Sequence, residues 1–303
     1  MTAKQNFFII GAPKCGTTSL FYYLIQHPNV YEVGMKEPHF LCEDFPGVRR
    51  LTRQEDYDRL FEHVGPQHKA VGEASMTYMY SDVALRRIVE INPEARIIYM
   101  LRTPLEMLPS WHSQMVKTLQ EDVEDFSQAW SLQEQRAAGR SLPPNCLEPF
   151  FLQYREIGLL GKHLQRLRSY FPAENIKLVF NEDLRNRTAE TYAEVLEFLR
   201  LPPFGEVDFA VLNVNKKIRS RRAARIIDRL LEMRFVGKLA AFKKRLPLGK
   251  VSIRQKIREL NQIPVRRGSL APELRKELAE VYQQDVKLLA ELSGRNLDHW
   301  FAG

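Results

Sequence analysis

The chain has 303 residues, of which 44% are apolar, 10% aromatic and 27% charged. That is enough for a sizeable core, and it excludes a mainly disordered, collagen-like or disulfide-scaffold protein. The net charge of +8 is uneven: residues 216–268 hold 18 Lys/Arg against 3 Asp/Glu, so the other 250 residues carry −7, and the basic segment is expected to face an anionic partner or to form a solvated helical face.

Phe7-Phe8-Ile9-Ile10 is a continuous apolar run closed by Gly11, and it reads as a buried parallel strand. After the loop GAPKCGTT, residues 19–25 read as a helix stopped by Pro28. Further strands are predicted over 69–73, 96–101 and 176–180; the third ends in Arg102-Thr103-Pro104 and the fourth in Asn181-Glu182-Asp183. Helices are predicted over 81–91, 104 to about 119, 126–138, 147–170 and 190–199. The last helix starts near Pro272, a favoured first-turn residue, and Gly294 stops it. This alternation predicts an α/β fold: one P-loop-like, three-layer domain over 1–303 with a central, mostly parallel sheet flanked by helices. The basic segment 216–268 is expected as helices attached to that domain.

No apolar run reaches bilayer length, and the N-terminal apolar stretch is too short for a secretory core, so no transmembrane segment is expected. Cys15, Cys42 and Cys146 form neither a zinc pattern nor a disulfide framework. A reducing, cytoplasmic setting is therefore expected. The basic segment has only Phe235 and Phe242 as aromatics and carries no nucleic-acid motif, so no nucleic-acid partner is expected.

FFIIGAPKCGTTSL is the strongest local signal. Gly11 and Gly16 are five apart, between a strand and a helix, as in a P-loop. Glycines let backbone N–H groups turn toward one anion, and the helix N-terminus adds its positive dipole end. Lys14, Cys15, Gly16, Thr17, Thr18 and Ser19 are the candidate phosphate-binding residues. The loop departs from the Walker A pattern, since Lys14 precedes Gly16 and Thr17 stands where the Walker lysine would. Strand 96–101 ends in Arg102 rather than a metal-binding aspartate, so a 5′-phosphate site without a metal is expected. The alternative is a Gly-Pro turn that merely precedes a helix.

GAPKCGTTSL followed by LRTPLEMLPS resembles the sulfotransferases that use 3′-phosphoadenosine 5′-phosphosulfate (PAPS) as donor. The first segment is similar to that family's 5′-phosphosulfate loop. The second is similar to its 3′-phosphate motif, an arginine at a strand end and a serine eight residues on, here Arg102 and Ser110. IKLVFNEDL, FLRLP and the tail VYQQDVKLLAELSGRNLDHW extend the likeness, which is closer to the heparan-sulfate-type and related bacterial members than to the phenol and steroid type. An arginine fork plus a hydroxyl clamps a dianion well; the alternative for Arg102 is a surface ion pair. The family's late basic loop over the 3′-phosphate is matched by 213–221, which makes Arg219 and Arg221 further cofactor candidates; the alternative is that they only begin the basic helix.

The resemblance implies in-line transfer of a sulfuryl group from PAPS to an acceptor hydroxyl on a carbohydrate, lipid or other small alcohol, leaving PAP, with Lys14 stabilising the leaving phosphate. Met35-Lys36-Glu37-Pro38-His39-Phe40 resembles the Lys-Glu-x-x-Phe motif whose glutamate is the catalytic base, so Glu37 is the first candidate, expected to be desolvated by Met35, Pro38 and Phe40. Its alternative is a loop carboxylate paired with Lys36. His112 is the second candidate base, with packing as its alternative; His39 is a weaker one. Cys15 reads as a small filler rather than a nucleophile. The segment Gly72 to Ser75 is similar to one that lines the family's active site. Its Ala74 stands where heparan-branch members carry a lysine, which argues against a highly sulfated acceptor. Tyr78, Tyr80, Trp111 and Phe150 are candidates for an acceptor pocket or for the core. Residues 225–239 alternate apolar and basic positions as an amphipathic helix that borders the acceptor site or touches an anionic surface. Two other functions compete: a P-loop nucleotide or small-molecule kinase, and a non-catalytic protein that binds anions or membrane surfaces.

Overall fold

The apolar runs that read as strands form one four-stranded sheet. Its strands are β1 (Phe7–Ile9), β2 (Gly72–Ala74), β3 (Arg96–Leu101) and β4 (Ile176–Phe180), all parallel, in the order β2-β1-β3-β4. Phe8 lies opposite Glu73 on one side and Ile97 on the other. The residues of β1 and Ile97 to Leu101 are buried, as expected of parallel strands covered on both faces. The structure, a computed structural model, describes residues 5–209 and 270–302, and the backbone of two short strands between them.

The helices are α1 (Thr17–Leu24), α2 (Gln54–Asp58), α3 (Asp82–Ile91), α4 (Pro104–Lys117), α5 (Phe126–Ser131), α6 (Gln133–Ala137), α7 (Tyr154–Ile157), α8 (Leu160–Leu167), α9 (Asn181–Asn186), α10 (Thr188–Phe198) and α11 (Pro272–Ser293). Among the described residues none is long and apolar enough to cross a membrane. Two compact units divide the chain, residues 1–212 with 270–303, and residues 213–269. In the second, Lys216–Ile218 (β5) and Gln262–Pro264 (β6) pair antiparallel. The amphipathic stretch 225–239 lies outside the described residues.

Four local expectations shift, each for a physical reason. The second strand begins at Gly72 rather than residue 69, because Ala70 already bridges to Val30 and the register with β1 starts at Gly72. Ser81 caps α3 rather than entering it, its Oγ accepting from Ala84 N at 2.8 Å. The helix expected over 126–138 is two, since the Gln133 amide donates to the Trp130 carbonyl (2.8 Å) and accepts from Arg155 N (2.6 Å). The one expected over 147–170 breaks before α8, whose N–H groups at Gly161 and Lys162 both donate to Asp285 on α11 at 2.8 Å. A Cβ at Gly161 would sit 2.3 Å from the Asp285 carbonyl, so this glycine sets how closely α8 and α11 pack.

The helical flank also buries an ion pair that sequence patterning did not reveal. Arg136 and Glu121 are each 1% exposed. Two N–H groups of the guanidinium donate to the two carboxylate oxygens at 2.6 Å, and Tyr154 OH (2.8 Å) and Val123 N (2.9 Å) complete the shell. Burial pushes the Glu121 carboxyl up, but these donors together hold it below its ordinary range.

Candidate active site

In this strand order the chain runs from β1 outward to β2, then crosses to β3 on the other side of β1. The carboxyl ends of β1 and β3 thus flank a topological switch point, where open α/β sheets bind ligands. The loop after β1 and Arg102 after β3 meet there. Ala12 N donates to Met100 O at 2.6 Å, Arg102 Nη1 to Lys14 O at 3.2 Å, and Asn181 Nδ2, just beyond β4, to Cys15 O at 3.0 Å. The loop's carbonyls at Lys14 and Cys15 are thereby tied from the ends of two strands, β3 and β4. Lys14 (φ 61°) and Gly16 (φ 97°) adopt left-handed backbone. Gly16 is the N-cap of α1, and a Cβ there would press Asn181 and Leu184 at 3.1 Å. The first turn of α1, Thr17 to Ser19, has N–H groups with no acceptor inside the helix, the usual anion-binding end.

Arg102 has two engagements. Besides the Lys14 carbonyl it forms an ion pair with Glu106, one turn into α4, at 2.7 and 2.9 Å. Its guanidinium faces the loop, and Glu106 holds it in place. Pro104 starts α4, and Ser110 lies buried two turns further on. Cys15 is fully buried; its Sγ donates to Pro13 O (3.4 Å), and burial pushes the thiol up to about 12, which suits a filler and not a nucleophile.

The Glu37 segment reaches the same end of the sheet through β2, with Glu37 N donating to Ala74 O at 2.9 Å. The expectation of a basic, desolvated glutamate is corrected in one respect. Burial does push Glu37 up, but Lys36, His39 and Arg50 outweigh it, and the carboxyl lies below its ordinary range. Lys36 Nζ is 2.5 Å from Glu37 Oε1. Glu37 is therefore an ionised carboxylate at neutral pH. His39 is buried, and burial pushes it down to about 4, so its ring is neutral; Nδ1 pairs with Thr77 Oγ1 at 2.8 Å.

His112 lies in the second half of α4, among packing partners of its own. It is 3% exposed, its ring packs against Phe126 and Tyr154, and Nε2 bonds to Val123 O at 2.9 Å. Its surroundings match packing and do not suit a base. Tyr78, Tyr80 and Trp111 are likewise core residues, with their polar tips bonded to Glu73, Ile157 O and Phe151 O. Phe150 is only partly buried. Arg219 and Arg221 lie outside the described residues. The acids after β4 serve the tail: Asp183 is held below its ordinary range chiefly by its hydrogen bond from Arg295, and Trp300 Nε1 donates to Glu182 at 3.2 Å.

Sequence reasoning did not single out Glu73. It is fully buried in β2 and accepts from Tyr57 OH (2.8 Å), Tyr78 OH (2.8 Å) and Ser75 Oγ (2.7 Å). Burial pushes it up to about 7, although the three hydroxyls pull the other way. A glutamate inside an otherwise apolar strand was the available signal.

Residues 4–245 match the family model described as "Sulfotransferase domain". Carbohydrate sulfotransferase 15 of Mus musculus is 28% identical over 265 residues, covering 72% of this chain and 47% of its own length. Bifunctional heparan sulfate N-deacetylase/N-sulfotransferase 2 of Homo sapiens is 30% identical over 206 residues, covering 66% and 22%. The chain spans less than half the length of these relatives. A solved sulfotransferase from Alicyclobacillus acidocaldarius has a TM-score of 0.71 at 24% identity and covers 98% of this chain and 99% of that one, a likeness of fold.

Proposed function

Because the chain belongs to the sulfotransferase domain family, we propose that it transfers a sulfuryl group from PAPS to an acceptor hydroxyl. The observation that carries this reading is the loop itself: a lysine-bearing turn capped by left-handed Gly16, tied to Arg102 and opening onto the N-terminus of α1. These residues fit a nucleotide with phosphates at both ends. The backbone and hydroxyls of Gly16 to Ser19 would hold the 5′ end, and Arg102 with Ser110 the 3′ end. A mouse sulfotransferase, SULT7A1, has been solved in complex with PAP. PAPS, when bound, supplies an activated sulfuryl group.

The chain's own residues do the rest. Lys14 neutralises the charge that grows on the oxygen bridging to the leaving phosphate, a role whose loss typically costs on the order of 10²–10³ in rate. Glu37, ionised and tethered to the end of β2, takes the acceptor's proton. Lys36 is close enough to Glu37 to neutralise the site between turnovers. The relatives named for carbohydrate and heparan sulfate transfer favour a glycan acceptor. Ala74, in place of the heparan branch's lysine, favours one of low sulfation.

The test is transfer from radiolabelled PAPS to a glycan panel, with chelator present. The expected result is labelled glycan from the wild type and little or none from Glu37→Ala. Transfer that needs a divalent cation, or a phosphoryl group moved from ATP instead, would favour the kinase reading.

A further inference from the structure

Residues 37–41 carry two non-glycine residues in left-handed backbone, Glu37 (φ 58°) and His39 (φ 51°). L-residues hold that conformation only where the surroundings impose it. The ties come from the segment just after β2. His39 N donates to Ser75 Oγ at 3.2 Å and Leu41 N to Tyr78 OH at 3.2 Å. A backbone N–H can only donate, so each hydroxyl must accept there and direct its single proton elsewhere. Both protons go to Glu73: Ser75 to Oε2 at 2.7 Å and Tyr78 to Oε1 at 2.8 Å. An ionised carboxylate accepts only, so it fixes both hydroxyls in the one orientation that serves the loop. Tyr57 OH also donates to Oε1, and its ring stacks on Phe40 at 4.3 Å, but it bonds no loop N–H.

We propose that Glu73 is a positioning residue for the reaction: through Ser75 and Tyr78 it locks the strained loop that presents Glu37. The inference rests on Glu37 as the base. An amide at this position breaks the arrangement. The amide nitrogen of Glu73→Gln would donate toward one of the hydroxyls and compete with the loop N–H for its lone pairs.

The experiment combines hydrogen exchange over residues 35–42 with turnover, read as PAP formed from PAPS with a mixed glycan acceptor. Both use the full chain at pH 8, above the value of about 7 to which burial pushes Glu73. Glu73→Gln is expected to speed exchange at His39 and Leu41 and to lower kcat about 10- to 100-fold. The KM for PAPS and the PAP-induced rise in Tm stay at wild-type values. Tyr57→Phe, which removes a donor to the same oxygen but keeps the ring stacked on Phe40 and breaks no hydrogen bond to the loop, keeps kcat within about twofold, whereas Ser75→Ala and Tyr78→Phe each reproduce part of the loss. In a Glu37→Ala background Glu73→Gln adds nothing further. Unchanged exchange, equal losses in all three hydroxyl variants, or a full additive loss in the double variant would overturn the proposal. If Glu73→Gln fails to fold, Ser75→Ala and Tyr78→Phe decide it alone. A wild-type rate in Glu37→Ala would instead overturn the choice of base, and the exchange result would still judge the tie.

Discussion

Glu73, at the edge strand beside the site, and Glu121, in the helical flank, are equally cut off from water, at 0% and 1% exposure. Their surroundings act on them in opposite directions. Among the described residues Glu73 meets three hydroxyls and no cation, so burial prevails and pushes it up to about 7. Glu121 is pushed up by burial too, but the Arg136 fork and its neighbours more than reverse that. Burial sets the size of the penalty on a charge, and a paired cation decides whether the charge survives it. The flank uses its carboxylate as a staple with a fixed charge. Beside the site, the carboxylate is poised near neutrality and orients hydroxyls.

The largest test of this contrast removes the cation. Arg136→Met should cost about 3–5 kcal/mol in chemical denaturation, because it strands a buried carboxylate. A loss below about 1 kcal/mol would mean that Glu121 is not held by Arg136.

Next comes the pH dependence of stability. The Glu73 carboxyl lies above its unfolded value of 4.5, so its contribution is fully present below pH 4.5 and is lost as pH rises through about 7. The stability of wild type relative to Glu73→Gln should therefore fall by about 3 kcal/mol between pH 4 and pH 8. Glu121 lies below its unfolded value, so its contribution is present above pH 4.5 and is lost on further acidification. The corresponding difference for Glu121→Gln should rise only at the acid end of this range, below about pH 5, and stay level from there to pH 8. Parallel slopes would erase the contrast.

Single hydroxyls should separate the regions by less. Tyr57→Phe and Tyr154→Phe each remove one 2.8 Å donor, from Glu73 and from Glu121. The first should cost about 1.5–3 kcal/mol at pH 8, since no cation among the described residues shares the load, and the second less. Smallest in energy is Lys36→Ala. Without that ammonium, burial should move Glu37 upward, and the acid limb of the pH profile of kcat/KM should shift to higher pH. An unmoved limb would mean that another group titrates there.

What the sequence disclosed and what it hid divide along similar lines. The strand, glycine loop and helix around Lys14 are contiguous in the chain, and Arg102 follows its own strand directly, so spacing and apolar runs were enough to find them. The parallel sheet followed from the same runs. The Glu73 network joins residues 57, 73, 75 and 78 to a loop at 37–41, and Glu121 finds Arg136 15 positions on, beyond α5. No periodicity marks contacts of that kind. The break before α8 was equally hidden, since its cap is supplied by Asp285, 124 positions away. The low basicity of Glu37 was missed because Arg50 and His39 act on it through space alongside its neighbour Lys36.

The proposed function requires that the loop at Lys14 and the guanidinium of Arg102 together grip a nucleotide phosphorylated at both ends. Titration calorimetry of PAP into the wild type, Lys14→Ala and Arg102→Ala tests it most directly. Saturable binding to the wild type and at least about tenfold weaker binding to each variant are expected. No binding to the wild type, or equal affinity in all three proteins, would contradict it.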